Sequence, residues 1–199
     1  MKILLIGANG TLGSAIATEL APRHDIVRIG RNSGDETVDI SDSVSIRKLF
    51  ERVGAFDALI CAAGNVTFEK LEEMTEASFV LGLRDKLMGQ VNLLLIGREF
   101  ANDGASFTFT TGVLSHDPIA SGASASLVNG AIDSFVRAAA IELPRGMRVN
   151  SVSPTVLEES MATYAPYFRG FRPVPAATAA LAYAKSVEGL QTGHTFHVG

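Results

Sequence analysis

The chain has 199 residues, enough for one sizeable hydrophobic core and short for two full domains, so a single domain over 1–199 is expected. It is 47% hydrophobic and 19% charged with a formal net charge of −4, which gives no electrostatic case for nucleic acid or an anionic membrane as partner. A single cysteine, Cys61, excludes an intramolecular disulfide and fits a reducing compartment, with the cytoplasm as the expected location.

In chain order, KILLIG is a short apolar run ending in glycine, as expected of a strand buried on both faces rather than a signal peptide or a membrane span. TLGSAIATELA has helical spacing and is followed by Pro22. DIVRIG reads as a strand, SDSVSIRKLFERVG as a helix capped by Ser/Asp and stopped at Gly54, and FDALICAAG as a third buried strand. From the cap candidate Thr75 one long helix is expected to about Phe100. ASFTFTTG is β-rich, SASLVNGAIDSFVRAAAIEL is a helix ended by Pro144, and MRVNSVSP is a strand stopped by Pro154. ATAALAYAKSVEG is helical and GHTFHVG is a last strand. This alternation implies a doubly wound α/β fold of Rossmann type, with about seven parallel strands. The irregular stretch 154–175, rich in aromatics and prolines, is the expected lid or substrate loop.

Gly7, Gly10 and Gly13 fall where the first strand turns into the first helix. A phosphate there would be held by backbone N–H groups at the positive end of a helix. Gly7 would permit the tight turn, Gly10 the close approach of a pyrophosphate, and Gly13 the packing of helix on sheet. After the second strand comes RIGRNSGD. Arg31, Asn32 and Ser33 stand where an NAD binder usually carries an acid, and a cation with hydroxyl or amide groups suits a 2′-phosphate. NADP is therefore expected over NAD, although Asp35 and Glu36 follow closely.

Several segments together resemble the short-chain dehydrogenase/reductase family, nearly end to end. GANGTLG resembles its glycine motif, VDISD its adenine-contacting segment, CAAG its NNAG, AAAIELPRGMRVNSVSPT its LALELAPxGIRVNxVxPG, and TGHTFHVG its C-terminal strand. The resemblance implies cofactor contacts from Gly7, Asn9, Gly10, Thr11, Leu12 and Gly13, and from Asp39 and Ile40. It implies others from Cys61, Ala62, Ala63 and Gly64, and from Pro154, Thr155 and Val156 in the nicotinamide-side loop. It also implies a homodimer or homotetramer, assembled through helices near 76–100 and 124–143.

The family's active site is usually an Asn, a Ser, a Tyr and a Lys. Here the Tyr position falls on Ala125, the Lys position on Asn129, the Ser position on Thr111 and the Asn position on Lys86. Alanine transfers no proton. Asn129 can hydrogen-bond a ribose hydroxyl, Thr111 can donate to a carbonyl, and a Lys86 turned into the cleft would supply a cation of lowered pKa. Each also has a plain alternative, as helix surface, strand propensity or solvated charge. His116, in a loop, and Tyr164 and Tyr167, in the irregular stretch, are further acid candidates. His24, His116, His194 and His197 lack a metal-ligand spacing, so no metal is expected. Three readings stay open: a reductase with a displaced proton donor, a nucleotide-binding regulator without catalysis, and an interaction protein of the same fold. The substrate is a small molecule of unspecified identity.

Overall fold

The computed structural model describes residues 1–199. Its strands are β1 (Lys2–Ile6), β2 (Asp25–Gly30), β3 (Glu36–Thr37), β4 (Phe56–Cys61), β5 (Ala101–Thr110), β6 (Arg148–Pro154) and β7 (Thr195–Val198). They form one sheet in the order β3-β2-β1-β4-β5-β6-β7, every pair parallel. The helices are α1 (Thr11–Leu20), α2 (Ser43–Val53), α3 (Glu76–Leu81), α4 (Met88–Gly97), α5 (Ala123–Glu142), α6 (Met161–Tyr164) and α7 (Ala176–Glu188).

The run KILLI is apolar throughout because both of its faces are covered. Side chains alternate along a strand. Ile3 and Leu5 pack with Ile16 and Leu20 of α1 and Tyr183 of α7. Leu4 and Ile6 pack with Phe50 of α2, Leu93 of α4 and Ile132 of α5. Strand order reverses between β1 and β4, so the loops leaving their C-terminal ends diverge and open a crevice, the usual ligand position in such sheets.

Three elements differ from expectation. The helix expected from Thr75 starts there, with Thr75 and Ser78 capping each other, but it is not one α-helix. Residues Gly82–Leu87 form a π-helical turn between α3 and α4. Hydrophobic spacing hides this, because the wide turn absorbs one extra residue and leaves the helix beyond it in nearly the same phase. Strand β3 has only two residues and pairs only with Ile29 and Gly30 of β2, too short to carry a period. Strand β5 reaches back to Ala101, across an irregularity in its register with β4. The irregular stretch holds a short helical turn at Glu158–Ser160 and then α6. Its base is tied by Glu158 N donating to Val174 O at 2.9 Å and Val174 N to Val156 O at 3.1 Å.

Candidate functional site

The glycine turn separates into two structural residues and one open one. Gly7 has φ +83°, and a Cβ there would lie 2.6 Å from the Ala62 carbonyl oxygen. A Cβ on Gly13 would lie 2.0 Å from the Gly7 oxygen. Gly10 caps α1, and a Cβ on it would meet only the Gly7 oxygen, at an ordinary 3.5 Å. The first intrahelical bond runs from Ser14 N to Gly10 O, which leaves the N–H groups of Thr11, Leu12 and Gly13 without helical acceptors. No acidic side chain occupies this first turn. The cradle therefore fits a pyrophosphate.

Asn9 ties this turn to the one after β2. Its Nδ2 donates to Ser33 Oγ at 2.9 Å and to Ser33 O at 3.2 Å. Arg31 is exposed and donates through one Nη2 to Asp39 Oδ2 at 2.8 Å, so its remaining donors stay free to face an anion. The Ser41 hydroxyl, then the Arg31 guanidinium, hold the Asp39 carboxyl below the usual carboxylate range despite partial burial. Asp35 is turned back onto the edge of β2, where it accepts from Arg28 N at 2.8 Å. Glu36 pairs with Arg52 at 2.8 Å. Neither acid therefore counters the Arg31 charge locally. Asn32 is exposed beside them.

Gly7, Arg31, Asp39, Ile40, Ala63 and Gly64 line one cleft, into which Asp85 also faces. Asp85 is buried, and its Oδ2 accepts from both N and Nδ2 of Asn65, each at 2.7 Å. The sequence reading missed this clasp on the loop after β4. Its only signal was an acid one residue before Lys86. Cys61 is fully buried at the end of β4, and burial pushes its thiol up to about 12, so it packs as a neutral group.

On the other wall, the π turn delivers Lys86. Its stem crosses Gly64, where a Cβ would lie 2.7 Å from Lys86 Cγ. Its Nζ donates to Asn129 Oδ1 at 2.8 Å and, at 3.4 Å, to the Thr111 carbonyl. Burial lowers its pKa to about 8, partly offset by the negative charge of Asp133 one turn along α5. Asn129 is 4% exposed, which rules out the helix-surface alternative. The Thr111 hydroxyl is turned to Val152 O at 3.3 Å, so the backbone of Thr111 and not its side chain meets Lys86. Ala125 is buried one turn before Asn129.

Gln90, fully buried, was also missed. Its Nε2 donates to Thr110 O at 3.1 Å and its Oε1 accepts from Thr110 N at 2.9 Å. Thr110 Oγ1 donates to Cys61 O at 2.6 Å and lies 2.7 Å from Tyr183 Oη. The end of β5 is thus held from both faces of the sheet. Thr155 N donates to Val198 O at 2.9 Å, and the Val156 side chain packs in a small apolar cluster beyond Pro154. His116 is exposed and meets His197 edge-on at 4.6 Å, away from Lys86's contacts. Tyr164 and Tyr167 are exposed on the 157–174 segment, and Tyr164 lies 6.3 Å from the Phe68 ring.

A parallel doubly wound sheet with a glycine cradle at its switch point defines a dinucleotide-binding fold. Residues 12–191 match the family model described as enoyl-(acyl carrier protein) reductase, and the chain belongs to the short-chain dehydrogenase/reductase family. It is similar to the protein lin1944 from Listeria innocua, at 51% identity and TM-score 0.99 over 100% of both chains. It is also similar to a small-chain dehydrogenase solved in complex with NADPH, at 25% identity and TM-score 0.88, covering 100% of this chain and 96% of that one. A curated relative, glucose and ribitol dehydrogenase homolog 2 of Arabidopsis thaliana, is 28% identical over 110 residues. That match takes in 55% of this chain, which spans only 38% of the plant protein's length. No helix is long and apolar enough to cross a membrane.

Proposed function

We propose that the protein reduces a carbonyl or quinone-like acceptor with NADPH, using Lys86 as the proton donor where its relatives use a tyrosine. The observation that carries this reading is a half-buried ammonium whose hydrogen-bond partners are a carbonyl and an amide, with no carboxylate among them. NADPH is favoured over NADH by the free donors of Arg31 beside Ser33, and by the NADPH bound to the structural neighbour. The nicotinamide supplies a hydride when bound. Thr11, Leu12 and Gly13 would hold the pyrophosphate, Arg31 and Ser33 the 2′-phosphate, Asp39 and Ile40 the adenine, and Pro154, Thr155 and Val156 the nicotinamide side. Lys86 gives a proton to the acceptor oxygen as the acceptor takes the hydride, and water restores that proton. Asn129 orients Lys86. Self-association belongs to the same proposal, through the mainly apolar groove of α4 and α5 around Leu95 and Phe135.

The sign of the pH dependence follows. Lys86 is charged below about 8 and loses its proton as the pH rises through that value. The charged and titratable groups around it are Asp133 from α5, Cys61 from β4 and its neighbour Asp85, and Cys61 stays neutral. Quinone reduction at saturating NADPH should therefore hold up to neutral pH and fall away above about 8. Oxidation of simple secondary alcohols with NADP should be negligible throughout, because Ala125 cannot take the hydroxyl proton. Brisk alcohol oxidation would overturn the displaced-donor reading and make His116 the next residue to replace. Tight NADPH binding without turnover on any acceptor would favour the second reading, a nucleotide-binding regulator. Ala125, which transfers no proton, supports that second reading.

Cofactor choice has its own test. Arg31→Ala should weaken NADPH binding about tenfold, as for one charged hydrogen bond at an exposed site, and leave NADH unchanged. Calorimetric titration of both nucleotides checks it.

A further inference from the structure

Ala125, at the position of the family's Tyr, is 3% exposed although an alanine side chain fills little space. It shares a small apolar cluster with Leu114, Val156 and Phe168, separate from the two cores of the sheet. Phe168 belongs to the 157–174 segment, whose base is tied at Val156, Glu158 and Val174. Around it Tyr164, Tyr167 and Arg169 are exposed, whereas Phe168 is only 8% exposed. The segment is a loop pinned at its base that drives one aromatic ring inward. Phe171 meets that ring edge-on at 5.3 Å and Tyr164 at 6.2 Å. The four buried side chains of the cluster, Leu114, Ala125, Val156 and Phe168, carry no polar atom, and the Ser124 and Ser126 hydroxyls on either side of Ala125 in the chain are buried without partners.

We propose that Phe168 holds the place of the substrate: the site takes a planar, apolar aromatic acceptor of the quinone class, whose ring displaces Phe168 and lies against Leu114, Ala125 and Val156. The inference rests on the reductase reading and narrows it. Exchanging one ring for another conserves buried apolar area, so the loop opens without exposing the slot to water. A sugar or polyol would bury several hydroxyls against Leu114, Ala125, Val156 and Phe168, side chains that offer them no partner, and is disfavoured. The acceptor's carbonyl lies at the end of the slot toward Asn129. Phe168 also acts as an internal competitor and lowers the apparent affinity by the fraction of time it fills the slot.

The test is binding of menadione, measured by ligand-observed NMR and calorimetry on the full chain loaded with NADP, beside its turnover with NADPH. Phe168→Ala removes the competitor and should tighten menadione binding about tenfold, the factor set by burying part of one aromatic ring. Phe168→Leu should fall between it and wild type. Ala125→Phe fills the slot permanently and should abolish menadione binding, and ribitol should bind to none of these proteins. Unchanged or weaker menadione binding in a folded Phe168→Ala protein overturns the proposal, as does ribitol binding as well as menadione. If Phe168→Ala fails to fold, menadione binding that survives in Ala125→Phe overturns it. Phe168-dependent binding without hydride transfer would uphold the slot and remove the reductase reading. Quinone reduction indifferent to both residues would do the reverse.

Discussion

Lys86→Asn should lower quinone turnover by about 10²–10⁴-fold, the usual range for a lost general acid, and weaken NADPH binding by a smaller factor of about ten. The informative variant is the exchange. In this chain an ammonium on the π turn meets an amide on α5 at 2.8 Å. The family pattern has the amide on the first wall and the ammonium on the second. Asn129→Lys alone places two ammonium groups at one contact, in a buried setting where a charge is already costly, and should lower the thermal midpoint markedly. Lys86→Asn with Asn129→Lys restores one cation and one amide to the same contact. The double variant should regain the midpoint and the NADPH affinity of wild type, so that the two substitutions are strongly non-additive. Thermal melts and calorimetry on the four proteins measure this. A double variant as weak as the worse single would mean that the wall from which the charge comes matters, not only its presence.

Gly10→Val and Gly13→Val should part company just as sharply. Valine at position 10 meets ordinary contact, so the cost is that of a poor N-cap, about 1 kcal/mol, and a melting shift of a few degrees. Its branched side chain stands over the N–H groups of α1, and NADPH binding should disappear. At position 13 the first added carbon would sit 2.0 Å from the Gly7 carbonyl oxygen, so α1 must shift off the turn. That protein should lose several kcal/mol, at or beyond the upper end of ordinary overpacking, and bind nothing. Differential scanning fluorimetry with a binding titration separates the cases. Normal NADPH binding by Gly10→Val would end the phosphate-cradle reading.

Sheet, helices and glycine turn were readable because each is a periodic or local signal. KILLI and FDALIC are short runs buried on two faces, and Gly7 and Gly13 are demanded by contacts within one turn. Lys86, Asn129 and Arg31 were readable as candidates through their place in a family pattern. That Asn129 is buried and that Asp35 turns onto β2 was not readable, because both depend on tertiary packing. Gln90 escaped because a lone polar residue within an apolar helix has no pattern of its own, and Asp85 because, between Arg84 and Lys86, it reads as part of a solvated charge cluster. Phe168 escaped because its loop has no period, and one of several aromatics there is singled out only by where the loop is pinned.

The π turn also bears on heredity. Such a turn is one residue more than an α-helix needs, so deleting one codon between Gly82 and Leu87 would restore regular geometry. Because the wide turn absorbs the extra residue, the helix beyond it would keep its phase and Gln90 its bonds to Thr110, while Lys86 would lose the turn that aims it. A lineage that ceased to use Lys86 could therefore shed the bulge by one deletion at little structural cost, so that chain length at this point records whether the lysine is in use.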